Sequence, residues 1–199
     1  MLVWPDKKAL LVKSRNPEKI LNVLPNAKSI TVKGVPLVAV PHRINETKLL
    51  RNLGYDAPAP IRTYYDWPGR FKPFQTQKEA AAFLSMHPRA FNLSELGTGK
   101  SLASLWAYDY LRSIGLLNKA LVISPLSTLE RTWADELFNH FPHLTFGVLH
   151  GPKKKRIAML KEDYDVYIVN HDGVGIIEPH LKTRTDIDLV IVCLLYTSD

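Results

Sequence analysis

Phe91-Asn92-Leu93-Ser94-Glu95-Leu96-Gly97-Thr98-Gly99-Lys100-Ser101 is the stretch on which the reading of the whole chain turns. An apolar run (Ala90, Phe91, Leu93) reads as a strand, and Leu102, Leu105, Trp106 and Leu111 give a helical pattern after Lys100. Between them, Gly97-Thr98-Gly99-Lys100-Ser101 has the make-up of the end of a phosphate-binding loop. Glycines let the backbone curl until successive N–H groups point into one concavity. A helix starting near Lys100 adds the positive end of its dipole at the same place. In that pattern Lys100 reaches the β- and γ-phosphates and the Ser101 hydroxyl ligates Mg²⁺. Ser94 stands where G-x-x-x-x-G-K-[ST] has its first glycine, so a plain glycine turn before an amphipathic helix is the competing reading. The strand-loop-helix context favours the phosphate loop.

With 199 residues, 46% of them apolar, the chain is long enough for one large domain or two small ones. Its longest apolar run, Leu189 to Tyr196, is far too short to span a membrane. Trp4-Pro5-Asp6-Lys7-Lys8 occupies the place of a signal peptide's apolar segment. The single cysteine, Cys193, excludes an internal disulfide and any multi-cysteine zinc site. These features predict a soluble, cytoplasmic protein with no membrane partner, and leave its oligomeric state open.

The net charge of +7 is unevenly placed. Residues 1–72 hold 13 Lys/Arg against 5 Asp/Glu, whereas residues 73–199 hold 13 against 14. The basic excess lies entirely in the first third, which favours a polyanion such as nucleic acid as its partner over solubility alone.

Residues 1–55 read as a basic α+β module. Ala9 to Val12 is a strand candidate, and Asn16-Pro17-Glu18 opens a helix with Asn16 as its cap. Ser29 to Val32 and Val35 to Val40 flank Lys33-Gly34 as a hairpin, and a helix from about Asn45 ends at Gly54. Residues 56–72, rich in proline and aromatics, read as an extended linker packed on something. Residues 73–199 then alternate helices and strands. A helix is expected from Pro73 to Met86, then one from Lys100 to about Ile114. Strands are expected at Ala120–Ile123, Thr145–Leu149, Val166–Val169 and Ile187–Val192. Ser127 and Glu130 have capping-box spacing at the head of a helix along which Leu129, Trp133, Leu137 and Phe141 recur every four residues. Lys153 to Arg156 reads as the solvated start of another helix, His171 as a loop residue, and His140 and His143 as helix-end residues without acidic partners. Strands and helices alternating after a phosphate loop predict a parallel sheet with right-handed crossovers.

From about Phe71 onward the chain resembles the first lobe of Swi/Snf-type, superfamily-two ATPases, whose motifs appear here in order. Lys72-Pro73-Phe74-Gln75 resembles the family's glutamine motif, in which the amide of Gln75 would read the adenine edge. Glu95-Leu96-Gly97-Thr98-Gly99-Lys100-Ser101 resembles its nucleotide loop, where a residue other than glycine commonly holds the first position. Leu121 to Leu129, with Trp133, Glu136, Phe141 and Pro142, resembles motif Ia and its helix. The resemblance there implies nucleic-acid backbone contacts at Pro125, Leu126 and Ser127. Tyr164 to His171 resembles the next strand and motif Ib, which brings Asn170 and His171 in as further contacts.

The resemblance implies an α/β fold with a RecA-like parallel sheet carrying helices on both faces, preceded by the small α+β module. It also implies ATP and Mg²⁺ as cofactors, DNA (double- or single-stranded) as partner, and a helicase-like, DNA-dependent ATP hydrolase and translocase. After Asp188 to Val192 the family places Asp-Glu, which holds Mg²⁺ and orients water; here Cys193-Leu194 follows, then Leu195 to Asp199. On this reading the chain is an N-terminal part ending at motif II, and as written it does not turn over ATP. Two other readings stay open: a nucleic-acid-binding module with an inactive lobe, and another phosphate-loop ATPase such as a restriction-enzyme helicase subunit.

Overall fold

The computed structural model describes residues 1–95 and 97–193. Leu96, in the loop, and Leu194 to Asp199, of which Leu194 holds the second position of the expected acidic pair, lie outside the described residues. Two compact units result: Met1–Asp66 with Ala82–Ala90, and Trp67–Ala81 with the described residues from Phe91 on.

The first unit is built on an antiparallel sheet. Strands β1 (Leu2–Trp4), β2 (Ala9–Val12), β3 (Lys28–Val32) and β4 (Val35–Pro41) lie in the order β1-β2-β4-β3. Lys33 and Gly34 both take positive φ, 49° and 77°, as a two-residue type I′ hairpin demands. Helix α1 (Pro17–Val23) starts at Asn16, whose side chain accepts from the Lys19 N–H, and α2 (Ile44–Asn52) leads to Gly54 at φ 89°. Leu10, Val12, Ile20, Leu24, Val38, Val40 and Leu50 form the core, with Ala57.

The segment 56–72 is not wholly extended. Pro60 opens one helical turn, α3 (Ile61–Tyr64), and Ala57, Ala59 and Ile61 are buried. His42 secures it from within the same unit, one ring nitrogen bonded to the Pro58 carbonyl and the other to the Tyr64 hydroxyl. Burial holds the His42 pKa below its usual value, opposed by the Pro58 bond. Helix α4 (Gln75–Met86) begins two residues after Pro73, where the Gln77 side chain accepts from the Phe74 N–H.

In the second unit, α5 (Lys100–Ser113) runs into β5 (Lys119–Ser124) through Gly115 at φ 75°. Then come α6 (Asp135–His140), β6 (Phe146–Val148), α7 (Lys153–Lys161), β7 (Val166–Asn170), α8 (His171–Leu181) and β8 (Ile187–Val192). The four strands are parallel in the order β6-β7-β5-β8. Every residue of β7 is buried, as a central strand covered on both faces requires. Among the described residues β8 pairs only with β5; Val190 and Val192 on it remain half exposed.

Four local expectations are corrected here. No strand forms before the loop: Phe91 and Leu93 are 83% and 85% exposed. Asn92 Oδ1 instead accepts from both the N–H and the hydroxyl of Ser94, a local turn that competes with strand pairing. The Ser127/Glu130 capping box does not form. A 3₁₀ turn (Leu126–Thr128) runs into a π-helical stretch (Leu129–Ala134), Ser127 is exposed, and the Thr128 hydroxyl bonds the Pro125 carbonyl and Ser124 Oγ. The exact four-residue repeat explains the π stretch. It would drift round a 3.6-residue helix, and the wider turn keeps Leu129, Trp133, Leu137 and Phe141 all buried.

His171 is not a loop residue but the first residue of α8, a helix that Gly173, Gly175 and Pro179 obscure in the sequence. His143 does have an acidic partner, since its Nε2 lies 2.7 Å from Asp109 Oδ1, a residue 34 positions earlier.

Candidate functional site

The loop sits at the N-terminus of α5. From there α5 runs back through Gly115 to the start of β5. Gly97 and Gly99 both take φ +76°, a conformation that costs an L side chain about 1–2 kcal/mol. Thr98 between them donates its hydroxyl to the Glu95 carbonyl at 2.8 Å. Lys100 is half-buried, and its ammonium donates to the carbonyls of Ser94 and Glu95 at 2.7 Å each. The cation is thereby held over the mouth of the loop by neutral oxygens that an anion's oxygens can replace. Ser101 follows in the first helical turn, and Ser104 secures that turn by donating to the Lys100 carbonyl.

The two glutamines of α4 differ in placement. Gln75, the residue expected to read adenine, donates to Glu79 Oε1 at 2.9 Å on an exposed surface. Gln77, which the sequence reading passed over, reaches the loop and donates to the Thr98 carbonyl at 3.3 Å. Its amide packs so closely on Gly99 that an added Cβ there would lie 2.2 Å from Nε2. Gly99 therefore serves twice, through its φ and through the room it leaves the Gln77 amide. Nothing in the Lys-Pro-Phe-Gln pattern distinguishes Gln77; only the backbone path from α4 to the loop does.

Phosphate fits this cradle: two left-handed glycines, a helix N-terminus and an ammonium at the rim are a donor set for an oxyanion. The metal shell is thinner. Ser101 offers one hard oxygen, while the residue after β8 is Cys193, whose N–H donates to the Ile123 carbonyl. A thiol is a poor Mg²⁺ ligand. Among the described residues no three His, Cys, Asp or Glu gather as a metal site.

Pro125, Leu126 and Ser127 stand just beyond the end of β5, with Leu126 and Ser127 exposed. Behind them Trp133 donates its indole N–H to Ser124 Oγ at 3.0 Å, which fixes the turn. Asn170, at the end of β7, is buried, and its Oδ1 accepts from Arg156 Nη1, so of the pair Asn170 and His171 only His171 is exposed. Further along the motif Ia helix, Glu136 Oε2 is buried without a hydrogen-bond partner among the described residues. Burial pushes that carboxyl up to about 7. One turn on, His140 is buried, and desolvation, then the charge of Arg70, holds its pKa below the usual value.

Two left-handed glycines and a lysine at the head of a helix form a donor set suited to phosphate, in a unit that carries a four-stranded parallel sheet. The family model of the SNF2-related domain matches residues 31–193, and the chain belongs to that family. Among curated proteins nothing matches. Among solved structures it is similar to the Sulfolobus solfataricus SWI2/SNF2 ATPase core in complex with dsDNA. That likeness has 22% identity and a TM-score of 0.53, and covers 63% of this chain and 26% of that one. The Sulfolobus solfataricus SWI2/SNF2 ATPase core domain matches at 22% identity with the same coverage and a TM-score of 0.48. The chain thus spans about a quarter of the length of the structures it matches. The expected fold class, a RecA-like parallel sheet after a small α+β module, is borne out. No helix among the described residues is long and apolar enough to cross a membrane.

Proposed function

We propose that this chain is the nucleotide-binding part of a Swi/Snf-type, DNA-dependent ATPase, working in the intact protein as a helicase-like translocase. The observation that carries the reading is the loop itself, with Gly97 and Gly99 both left-handed and the Lys100 ammonium held at its rim. Bound Mg²⁺-ATP would supply the phosphoryl group whose hydrolysis drives translocation. The chain's own residues bind and orient it. Glu95, Gly97, Thr98 and Gly99 line the phosphates, together with Leu96, which lies outside the described residues. Lys100 neutralises β- and γ-oxygens, Ser101 offers its hydroxyl to the metal, and Gln75 is assigned to the adenine edge. DNA is the partner. The dsDNA in complex with the Sulfolobus core supports this, as do the exposed residues at the ends of β5 and β7 and the basic excess of residues 1–72.

Cys193, at the place where the resemblance calls for the metal-holding acidic pair, favours a second reading in which the lobe binds nucleotide but does not hydrolyse it. For the 199-residue chain by itself we adopt that outcome. The test is phosphate release by the purified chain, with and without duplex DNA, beside a Lys100→Ala control. The reading expects a nucleotide-induced thermal shift that Lys100→Ala removes, with no turnover above control. DNA-stimulated turnover would show that other groups hold the metal; absence of any nucleotide shift in the wild-type chain would overturn the nucleotide reading itself.

A further inference from the structure

Lys153, Lys154 and Lys155 open α7 and are all exposed. None of the three has an ion pair among the described residues, and the first turn of that helix contains no acidic residue. Three cations at the positive end of a helix dipole work against the helix they begin. General solubility does not account for them either, because residues 73–199 carry 13 basic against 14 acidic side chains. Their placement needs a reason outside the stability of α7.

The fourth residue of the run behaves in the opposite way. Arg156 is buried and makes three bonds: Nε to the Gly151 carbonyl at 2.8 Å, Nη1 to the Leu149 carbonyl at 2.7 Å and Nη1 to Asn170 Oδ1 at 2.8 Å. It ties the turn after β6 to the end of β7. Gly173 leaves it room, since a Cβ there would lie 2.2 Å from Arg156 Nη1 and 2.7 Å from Asn170 Oδ1. The Lys155 stem lies against Gly151, itself at φ +105°. The lysines therefore project from a turn held by a buried cation, not from a loose loop.

The sheet order β6-β7-β5 gives this turn its neighbours. Where the three strands finish, Lys153 to Lys155, then His171, then Leu126 and Ser127 follow one another across about 10 Å of strand spacing. A row of cations, an imidazole and a hydroxyl along one edge matches a chain of phosphates.

We infer that Lys153, Lys154 and Lys155 extend the nucleic-acid track beyond the ends of β5 and β7 and contact the phosphodiester backbone of duplex DNA, positioned by Arg156. This rests on the DNA reading above. The experiment measures binding of the full chain to a fluorescent 30-base-pair duplex across a salt series. It compares wild type, K153Q/K154Q/K155Q, and K161Q as an exposed-lysine control from the same helix.

Each phosphate contact removed lowers the salt slope by about 1. The triple variant should lose about 3 from the slope and on the order of 10²-fold in affinity at 0.1 M salt, with K161Q and the Mg²⁺-ATP thermal shift unchanged. A wild-type slope in the triple variant would overturn this assignment alone. Failure of the wild-type chain to bind duplex at any salt would overturn the DNA reading beneath it. Equal displacement of the duplex by poly-glutamate at matched charge would show an acidic-protein surface instead.

Discussion

Alanine at Gly99 and alanine at Gly97 should not cost the same, although the two residues share φ +76°. A left-handed alanine costs about 1–2 kcal/mol. At Gly97 that is the whole effect, because nothing lies within 4 Å of the added Cβ. At Gly99 the methyl would stand 2.2 Å from Gln77 Nε2 and 3.3 Å from its Cδ. The amide must leave, and its bond to the Thr98 carbonyl goes with it, a further ~0.5–1.5 kcal/mol. Gly99→Ala is therefore expected to lose about 1.5–3.5 kcal/mol. In a Gln77→Ala background the collision and the bond are both already gone, and the added loss should shrink to that of Gly97→Ala.

The double-mutant cycle is read by urea unfolding followed through tryptophan emission. Trp67, Trp106 and Trp133 all lie in the unit that holds the loop, so the signal reports mainly on it. Equal losses at Gly97 and Gly99, or strict additivity with Gln77→Ala, would refute the packing of Gln77 on the loop.

Other outcomes follow from the same geometry. Gln75→Ala should narrow the preference for ATP over GTP, whereas Gln77→Ala should weaken both nucleotides alike; titration calorimetry with the two nucleotides separates them, and an unchanged ATP/GTP ratio in Gln75→Ala would remove its adenine role. Lys100→Ala should abolish the Mg²⁺-ATP thermal shift while leaving far-UV circular dichroism intact, and a shift that survives would deny Lys100 its phosphates. Glu136, with its carboxyl pushed up to about 7, favours folding most below the ordinary carboxylate range and loses that contribution as pH rises through 7. Glu136→Gln should therefore raise stability at pH 8 relative to wild type, by a few kcal/mol at about 1.36 per unit, and should matter little at pH 4; equal effects at both values would mean the carboxyl is not desolvated.

Much of the fold was legible because local chemistry and tertiary demand agree. Asn16-Pro17, Lys33-Gly34 and Gly115 each fill a position that only a few residue types can hold, and each falls where expected. The runs Ala120–Ile123 in β5 and Val166–Val169 in β7 read clearly because strands covered on both faces are lined mainly by apolar side chains. What stayed hidden depends on partners far away in sequence. Phe91 and Leu93 have strand composition, but a strand needs a ladder, and the Asn92–Ser94 turn takes its place. Helix α8 was lost behind two glycines and a proline, one of those glycines being required by Arg156 from another helix. Gln77 was missed for the same reason: its meaning lies in Thr98 and Gly99, more than twenty residues on.

The side of β8 that pairs with no strand among the described residues has a consequence for anyone preparing this chain. Its backbone donors and acceptors on that side lie in a row, beside the half-exposed Val190 and Val192. Such a row is a template for another molecule's strand. Concentrated stocks should form oligomers whose growth quickens with added salt, as screening removes the repulsion between like-charged copies. A single lysine in place of Val190 should keep the preparation monodisperse in light scattering.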